Sequence, residues 1–333
     1  MLQPTKILVV QTAFIGDVVL ATALVESIVD RWPDCTVDFM VRKGNESLLT
    51  NHPYLRKVLV LTKKTNKWGN LWRMIQTVRN EQYDIVINVQ RFFATGLITA
   101  LSGAKTTVGF RKNPWSFLFS HRVDHDFGTR GLHEVDRNLK LLEPLFKAKL
   151  LKPVLYPSDA DANAVRRETP YAVLAPSSVW FTKQWPEKRW VELTQVIPDS
   201  IEIVLIGGPA DRELCGRIQA QSKRQGIINR AGELTFLQSA ALMKGALINV
   251  VNDSGPLHFA SAVNAPVCAI FCSTIPEFGF GPLSKKSVIV QNDQPLSCRP
   301  CGNHGFRSCP KGHFQCADIS AQTVWRKAAA LIS

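Results

Sequence analysis

Apolar positions along the first half of the chain switch between two periods. Lys6–Thr12 (KILVVQT) is a short run rich in β-branched residues, the mark of a buried strand. From Asp17 to Arg31, the residues Val18, Leu20, Ala21, Leu24, Val25 and Ile28 recur at helical spacing, and Trp32-Pro33 closes the run. Thr36–Val41 predicts a second strand and Val58–Leu61 a short one. A helix over Leu71–Asn80 leads into a strand at Tyr83–Val89, and Thr106–Phe110 and Arg122–Phe127 are weaker strands. Strands separated by helices mean parallel βαβ units.

The pattern lapses between Leu151 and Pro170, where Pro153, Pro157, Ser158 and the polar run Asp159–Asn163 read as a linker and a short helix. It then restarts. Strands are predicted at Tyr171–Pro176, Ile201–Gly207, Ile227–Asn229, Ala246–Val251 and Pro266–Phe271. Helices are predicted at Glu187–Ile197, Ala210–Gln225, Thr235–Lys244, Pro256–Val263 and Ser320–Leu331. The prediction is an α/β chain of two doubly wound, Rossmann-like domains, residues 1–155 and 165–333, facing each other across a cleft. The last helix is expected to pack across their junction.

Composition narrows the class. Of 333 residues, 45% are apolar and 20% charged, which excludes disorder, collagen-like repeats and coiled coil as the main architecture. No apolar run reaches the ~18 residues of a membrane span, and the longest, Ala240–Val251, is broken by Lys244. The N-terminus lacks a signal-peptide layout, so a cytoplasmic location is expected. The net charge is +13; residues 1–150 hold 21 basic and 13 acidic side chains, a net of +8. Such an excess fits nucleic acid, a phosphorylated metabolite or an anionic membrane surface, or only a solvated basic surface.

Three loops follow predicted parallel strands and open helices, the place where open α/β sheets bind ligands. The first, Thr12–Asp17, has one glycine, so a dinucleotide fingerprint is absent. Asp17 reads either as a helix N-cap or as a carboxylate general base. The second, Ala175–Pro186, sets Lys183 between Trp180 and Trp185 and beside Ser177, Ser178 and Thr182. That grouping suits a phosphate, and equally an exposed lysine near core tryptophans. The third, Asn252–His258, runs from a strand into a helix with Pro256 near its start. Amides from Ser254 to Leu257, Pro256 excepted, would face a diphosphate with the positive end of the helix. Asp253 would accept from sugar hydroxyls and His258 would face the same site; a capping aspartate and a core histidine are the structural alternatives.

The segments IGDVVLATALVESIVDRWPD, Lys183-x-Trp185-Pro186 and NDSGPLHFASAVNAPVCAIF stand in order along nearly the whole chain. Together they resemble the ADP-heptose:lipopolysaccharide heptosyltransferases of glycosyltransferase family 9, the heptosyltransferase II type in particular. The resemblance implies a GT-B fold and an inverting, metal-independent transfer of heptose from an ADP-sugar to the lipid A–core acceptor, with no cofactor. It implies Asp17 as catalytic base and Lys183 on the donor phosphate. Ser177, Ser178, Asp253, Ser254, Gly255 and His258 complete the donor site. Gly16, Arg91, Arg111, Lys112 and Arg137 are acceptor-side candidates, with Arg130 beside them. An acidic residue that holds the donor ribose in some relatives would fall near Leu237-Gln238, and neither is acidic here. A monomer on the inner face of the inner membrane is expected, with no nucleic-acid partner. The rivals are a transferase for another nucleotide sugar, an epimerase on the same frame and a nucleic-acid-binding protein suggested by the +13 charge, with a trace of the basic and aromatic pattern it needs at Trp68–Arg73.

Two D-x-D triplets, Asp124–Asp126 and Asp159–Asp161, do not follow a buried strand into a helix and are read as surface or structural. Cys298, Cys301, Cys309 and Cys316, with His304 and His313 between them, have spacing that allows a structural zinc, reduced thiols or disulfides. Cys35, Cys215, Cys268 and Cys272 read as buried thiols.

Overall fold

The computed structural model describes residues 3–63, 66–127 and 131–332. The chain divides into two units, Met1–Tyr156 and Pro157–Ser333. In the first unit the strands are β1 (Lys6–Val10), β2 (Thr36–Arg42), β3 (Leu55–Leu61), β4 (Ile85–Asn88), β5 (Thr106–Phe110) and β6 (His121–Val123). Its helices are α1 (Ile15–Arg31), α2 (Lys67–Glu81), α3 (Phe93–Ala100) and α4 (Glu134–Leu139). The sheet order is β3-β2-β1-β4-β5-β6, all parallel. Strands covered on both faces need near-continuous apolar sequence, and β1 and β4 are buried along almost their whole length.

The second unit begins with α5 (Asp159–Ala164), and its strands are β7 (Tyr171–Ala175), β8 (Glu202–Leu205), β9 (Ile227–Asn229), β10 (Ile248–Asn252), β11 (Val267–Phe271) and β12 (Ser287–Gln291). Between them run α6 (Glu187–Val196), α7 (Arg212–Gln221), α8 (Phe236–Gly245) and α9 (Gly255–Ala262), with α10 (Ala321–Ala329) after the last strand. The order β12-β11-β10-β7-β8-β9 is again fully parallel. Both sheets therefore have the Rossmann strand order, and each reverses direction once, between β1 and β4 and between β7 and β10. Helix α10 lays Val324 and Ala328 into the core of its own unit, beside Trp190, Cys268 and Ile270.

Helices α3 and α4 and strand β12 lie outside the sequence prediction. In α3, Gly96 and the β-branched Ile98 and Thr99 lower helical propensity. The helix forms because its buried face packs on the sheet, and because Gly96 leaves room for Asn113: a Cβ there would come 2.0 Å from Asn113 Oδ1. Strand β3 starts three residues before its apolar run. Arg56 at its head is held by the fully buried Asp38, which also accepts from Tyr83 Oη at 2.5 Å.

Candidate active site

The first loop is held by its neighbours. Asn45 Nδ2 donates to the Ala13 carbonyl at 3.0 Å, and Lys63 Nζ donates to the carbonyl and hydroxyl oxygens of Thr12 at 2.9 Å each. Arg42 lies over the Phe14 ring, 4.8 Å from its centre. The N-cap of α1 is Phe14, not Asp17. Asp17 stands three residues further on, and one carboxylate oxygen, Oδ2, accepts the Phe14 N–H at 3.2 Å. The capping role expected of Asp17 is thus met from the third helical position, the reciprocal half of a capping box. Gly16 precedes it on the same turn. Arg42 and Lys63, which the pattern of the chain did not single out, add two cations beside this loop; burial and then the nearby Arg42 pull the Lys63 ammonium below its usual range.

Arg91 follows β4 at the turn into α3, and Arg111 and Lys112 follow β5, so these candidates line the same end of the first sheet. Arg111 Nε is 2.9 Å from Asp124 Oδ1. Arg137 is a correction to the acceptor-side set. It is fully buried in α4, donates to Glu134 and to the Leu132 carbonyl, and lies 5.3 Å from the Phe127 ring centre. A guanidinium enclosed this way serves the core of its unit. Arg130 is outside the described residues.

In the second unit the reversal of strand order brings two predicted loops together. After β7 the chain forms a tight turn, Phe181–Lys183; after β10 it passes through Asp253 into α9. Lys183 Nζ lies 2.7 Å from Asp253 Oδ2, and Thr274 Oγ1 donates to that same oxygen at 2.6 Å. The buried Asn252 side chain staples the two loops: its Nδ2 donates to the Pro176 carbonyl and its Oδ1 accepts the Trp185 N–H. Asp253 is therefore not a cap, and its Oδ2 already has two partners. The N-cap of α9 is Ser254, in extended conformation, and no side chain caps that first turn. Gly255 and Pro256 open the helix, and the Leu257 N–H, expected to face a ligand, donates instead to the Ser254 carbonyl at 3.1 Å. His258, one turn in, is buried, with its ring 6.3 Å from that of Phe280. Ser177 and Ser178 are half-buried on the same loop as Lys183, and Gln184 donates to the Ser178 carbonyl.

The lysine turn has a second support absent from the motif reading. Thr182, between Phe181 and Lys183, is buried; its Oγ1 accepts from the Phe306 N–H at 2.8 Å and from Ser273 Oγ at 3.0 Å. Its N–H donates to the Phe306 carbonyl. Gly305 passes against this turn with φ +79°, and a Cβ there would meet Thr182 Oγ1 at 2.9 Å and Lys183 Cγ at 3.2 Å. The cysteine-rich segment is thus the brace of the lysine turn. All eight cysteines are free thiols. Cys298 Sγ lies 3.8 Å from His313 Nε2, and Cys301 Sγ donates to the Cys298 carbonyl. Against the upward push of burial, the backbone N–H groups of Phe314, Lys311, Gly312 and His313 hold the Cys309 thiol below its ordinary value. Among the described residues no three His, Cys, Asp or Glu side chains are gathered to hold a metal ion.

The two D-x-D triplets have structural partners. Asp161 accepts from the N–H and the hydroxyl of Ser158 at the start of α5, and Asp126 pairs with Lys140 at 2.6 Å. Gln238 accepts the Thr235 N–H in a capping box at the start of α8.

The family model of glycosyltransferase family 9 (heptosyltransferase) matches residues 71–307. The chain belongs to this family. Among curated relatives, lipopolysaccharide heptosyltransferase 3 of Escherichia coli is 25% identical over 282 residues, 78% of this chain and 82% of that protein. Lipopolysaccharide heptosyltransferase 2 of Escherichia coli K12 is 24% identical over 314 residues, 86% of this chain and 88% of that protein. The solved structure of E. coli ADP-heptose lps heptosyltransferase II superposes with a TM-score of 0.81 at 24% identity over 98% of both chains. E. coli heptosyltransferase WaaC, solved with ADP-2-deoxy-2-fluoro heptose, superposes at 0.76 with 17% identity over 98% of this chain and 99% of that one. This heptosyltransferase thus has the GT-B fold, with its two Rossmann-ordered sheets. No helix among the described residues is long and apolar enough to cross a membrane.

Proposed function

We propose that this heptosyltransferase transfers heptose from ADP-L-glycero-D-manno-heptose to the lipopolysaccharide inner core, with inversion and without a metal, and that it is of the heptosyltransferase II type. The observation that carries the reading is the Lys183–Asp253 pair at the strand-order reversal of the second unit, beside the uncapped start of α9. A leaving nucleoside diphosphate gains negative charge as the glycosidic bond breaks. A lysine and a helix N-terminus supply the positive potential that a cation gives elsewhere. Asp17 is the general base that takes the acceptor hydroxyl's proton as it attacks the anomeric carbon. The single carboxylate on that loop suits one-step displacement better than epimerisation, which needs acid and base on both faces of the sugar. Arg91, Arg111 and Lys112 would bind phosphate of the acceptor core. The enzyme would act as a cytoplasmic monomer, peripheral to the membrane.

The test is incubation with ADP-heptose and a heptose-deficient core acceptor in excess EDTA. The expected outcome is an acceptor one heptose heavier, release of ADP, and an anomeric configuration opposite to that of the donor. Activity that vanishes on chelation and returns only with Mg²⁺ sinks the metal-free mechanism; transfer from other nucleotide sugars but not ADP-heptose sinks the donor assignment.

A further inference from the structure

The end of the first sheet that bears Asp17 also bears an exposed aromatic surface that transfer chemistry leaves unexplained. Trp68 and Trp72 stand one turn apart on α2 and are 72% and 57% exposed; Phe92, at the start of α3, is 64% exposed, and Phe117, after β5, is 66%. Trp68 and Phe117 end a row of rings that runs through Phe93 and Trp115. Trp68 meets Phe93 at 6.3 Å between centres, Phe93 meets Trp115 at 5.3 Å, and Trp115 meets Phe117 at 6.1 Å. The row is built rather than incidental: Asn113 Nδ2 donates to the carbonyls of Gln90 and Phe92, locking the α3 start against the loop after β5. Gly96 provides the gap that admits Asn113.

Exposed aromatic rings at this density are uncommon on a surface facing water alone. Their rim is cationic. Lys67 and Arg73 flank the two tryptophans on α2, whose first turn holds no acidic residue, and Arg91 and Lys112 lie on the neighbouring turns. Protruding Trp and Phe rimmed by Lys and Arg match an anionic bilayer, with rings at the headgroup level and cations against lipid phosphate. A single-stranded nucleic acid would need ring faces open for stacking. Here Phe93 and Trp115, in the middle of the row, are each taken up by two ring neighbours, edge-on at 88° and 66° and stacked at 28°.

We infer that this aromatic row is the surface by which the enzyme docks on an anionic lipid bilayer, bringing the Asp17 end of the first unit to a lipid-anchored acceptor. The inference rests on the acceptor reading above, and its test separates the two. Protein is mixed with phosphatidylcholine vesicles, with and without phosphatidylglycerol, at low and high salt, and pelleted vesicles are assayed for protein. The wild type is expected to partition onto the anionic vesicles, more strongly at low salt, with blue-shifted tryptophan emission. Trp68→Ser with Phe92→Ser and Phe117→Ser should lower the partition coefficient by about tenfold or more, since these side chains supply the inserted apolar area. Lys67→Glu with Arg73→Glu, which leaves the rings intact, should remove the preference for anionic over neutral vesicles. Both variants should bind ADP as the wild type does and still glycosylate a deacylated, water-soluble core acceptor. A wild type that ignores anionic vesicles, or ring and charge variants that bind them undiminished, overturns the docking surface. So does oligo-dT binding that the ring variant loses while vesicle binding is absent. Failure of the wild type on the soluble acceptor would refute the acceptor reading instead, leaving the vesicle result to judge the surface.

Discussion

Lys183 Nζ and Asp253 Oδ2 stand 2.7 Å apart, although 69 residues separate them along the chain. They meet because β7 and β10 are hydrogen-bonded neighbours and each strand ends in one of the two loops. Both side chains are largely enclosed, and Thr274 holds the carboxylate oxygen that the lysine uses. The lysine is therefore aimed before any diphosphate arrives, which reduces the ordering cost of binding.

This pairing yields a graded expectation for donor binding. Lys183→Ala should weaken ADP by roughly 10- to 100-fold, since a charge-assisted hydrogen bond contributes about 1.5–3 kcal/mol. Lys183→Arg should recover part of that, because a planar fork does not reproduce a compact ammonium. Asp253→Asn should also weaken ADP, through a lysine no longer held in place. Calorimetric titration of the three variants checks this, and equal affinities throughout would place the donor elsewhere.

Asp17 carries two roles that one pair of substitutions separates. Asp17→Asn keeps an oxygen for the Phe14 amide but cannot take a proton, so kcat should fall by about 100-fold or more with ADP affinity unchanged. Asp17→Ala should lose the same activity and, in addition, about 1 kcal/mol of stability with the lost cap bond. Steady-state kinetics beside thermal unfolding reads both. Near-normal turnover by the asparagine variant would reduce Asp17 to its helix-start role.

Gly305 joins the cysteine-rich segment to the lysine turn. Gly305→Ala must hold a left-handed backbone, at about 1–2 kcal/mol. It also sets a methyl group 2.9 Å from Thr182 Oγ1. The expected result is a lower melting temperature together with a raised KM for the donor. A stability loss with an unchanged KM would show that the brace does not reach Lys183.

His52 is one source of acid sensitivity in the first unit. Burial lowers His52 to about 4, while its ring packs on Tyr156 at 4.8 Å and its Nε2 lies 3.5 Å from Glu26. An unfolded histidine titrates near 6.5. Between these values the unfolded chain binds the extra proton, so His52 makes stability fall as pH drops from about 6.5 to about 4. Glu26, raised by its own burial, acts in the opposite sense as pH rises past the usual carboxylate value. His52→Phe, which keeps the aromatic packing, should flatten the acid side of the stability profile in denaturant titrations across that range. An unaltered slope would assign the acid sensitivity to other groups.

Local sequence was enough for what depends on period and on residue type. The alternation of apolar runs determined two parallel α/β units, because strands covered on both faces and helices covered on one leave distinct patterns. The strand-to-helix loops named Asp17, Lys183 and the Asp253 turn, because ligands bind where parallel strands end. Where local signals were weak, they failed: α3 contains a glycine and β-branched residues and is helical because the sheet and Asn113 accept it. Partnership was beyond reach altogether. Which loops touch is set by strand order, and strand order has no local signature. Only the tertiary structure decided that Lys183 is held by Asp253, that Thr182 is held by Phe306, and that Arg137 is enclosed by Glu134 instead of facing a ligand. A charged side chain reads the same in sequence whether it faces water or is buried beside an opposite charge; packing alone settles it, because burial is tolerated only where a partner offsets the lost hydration.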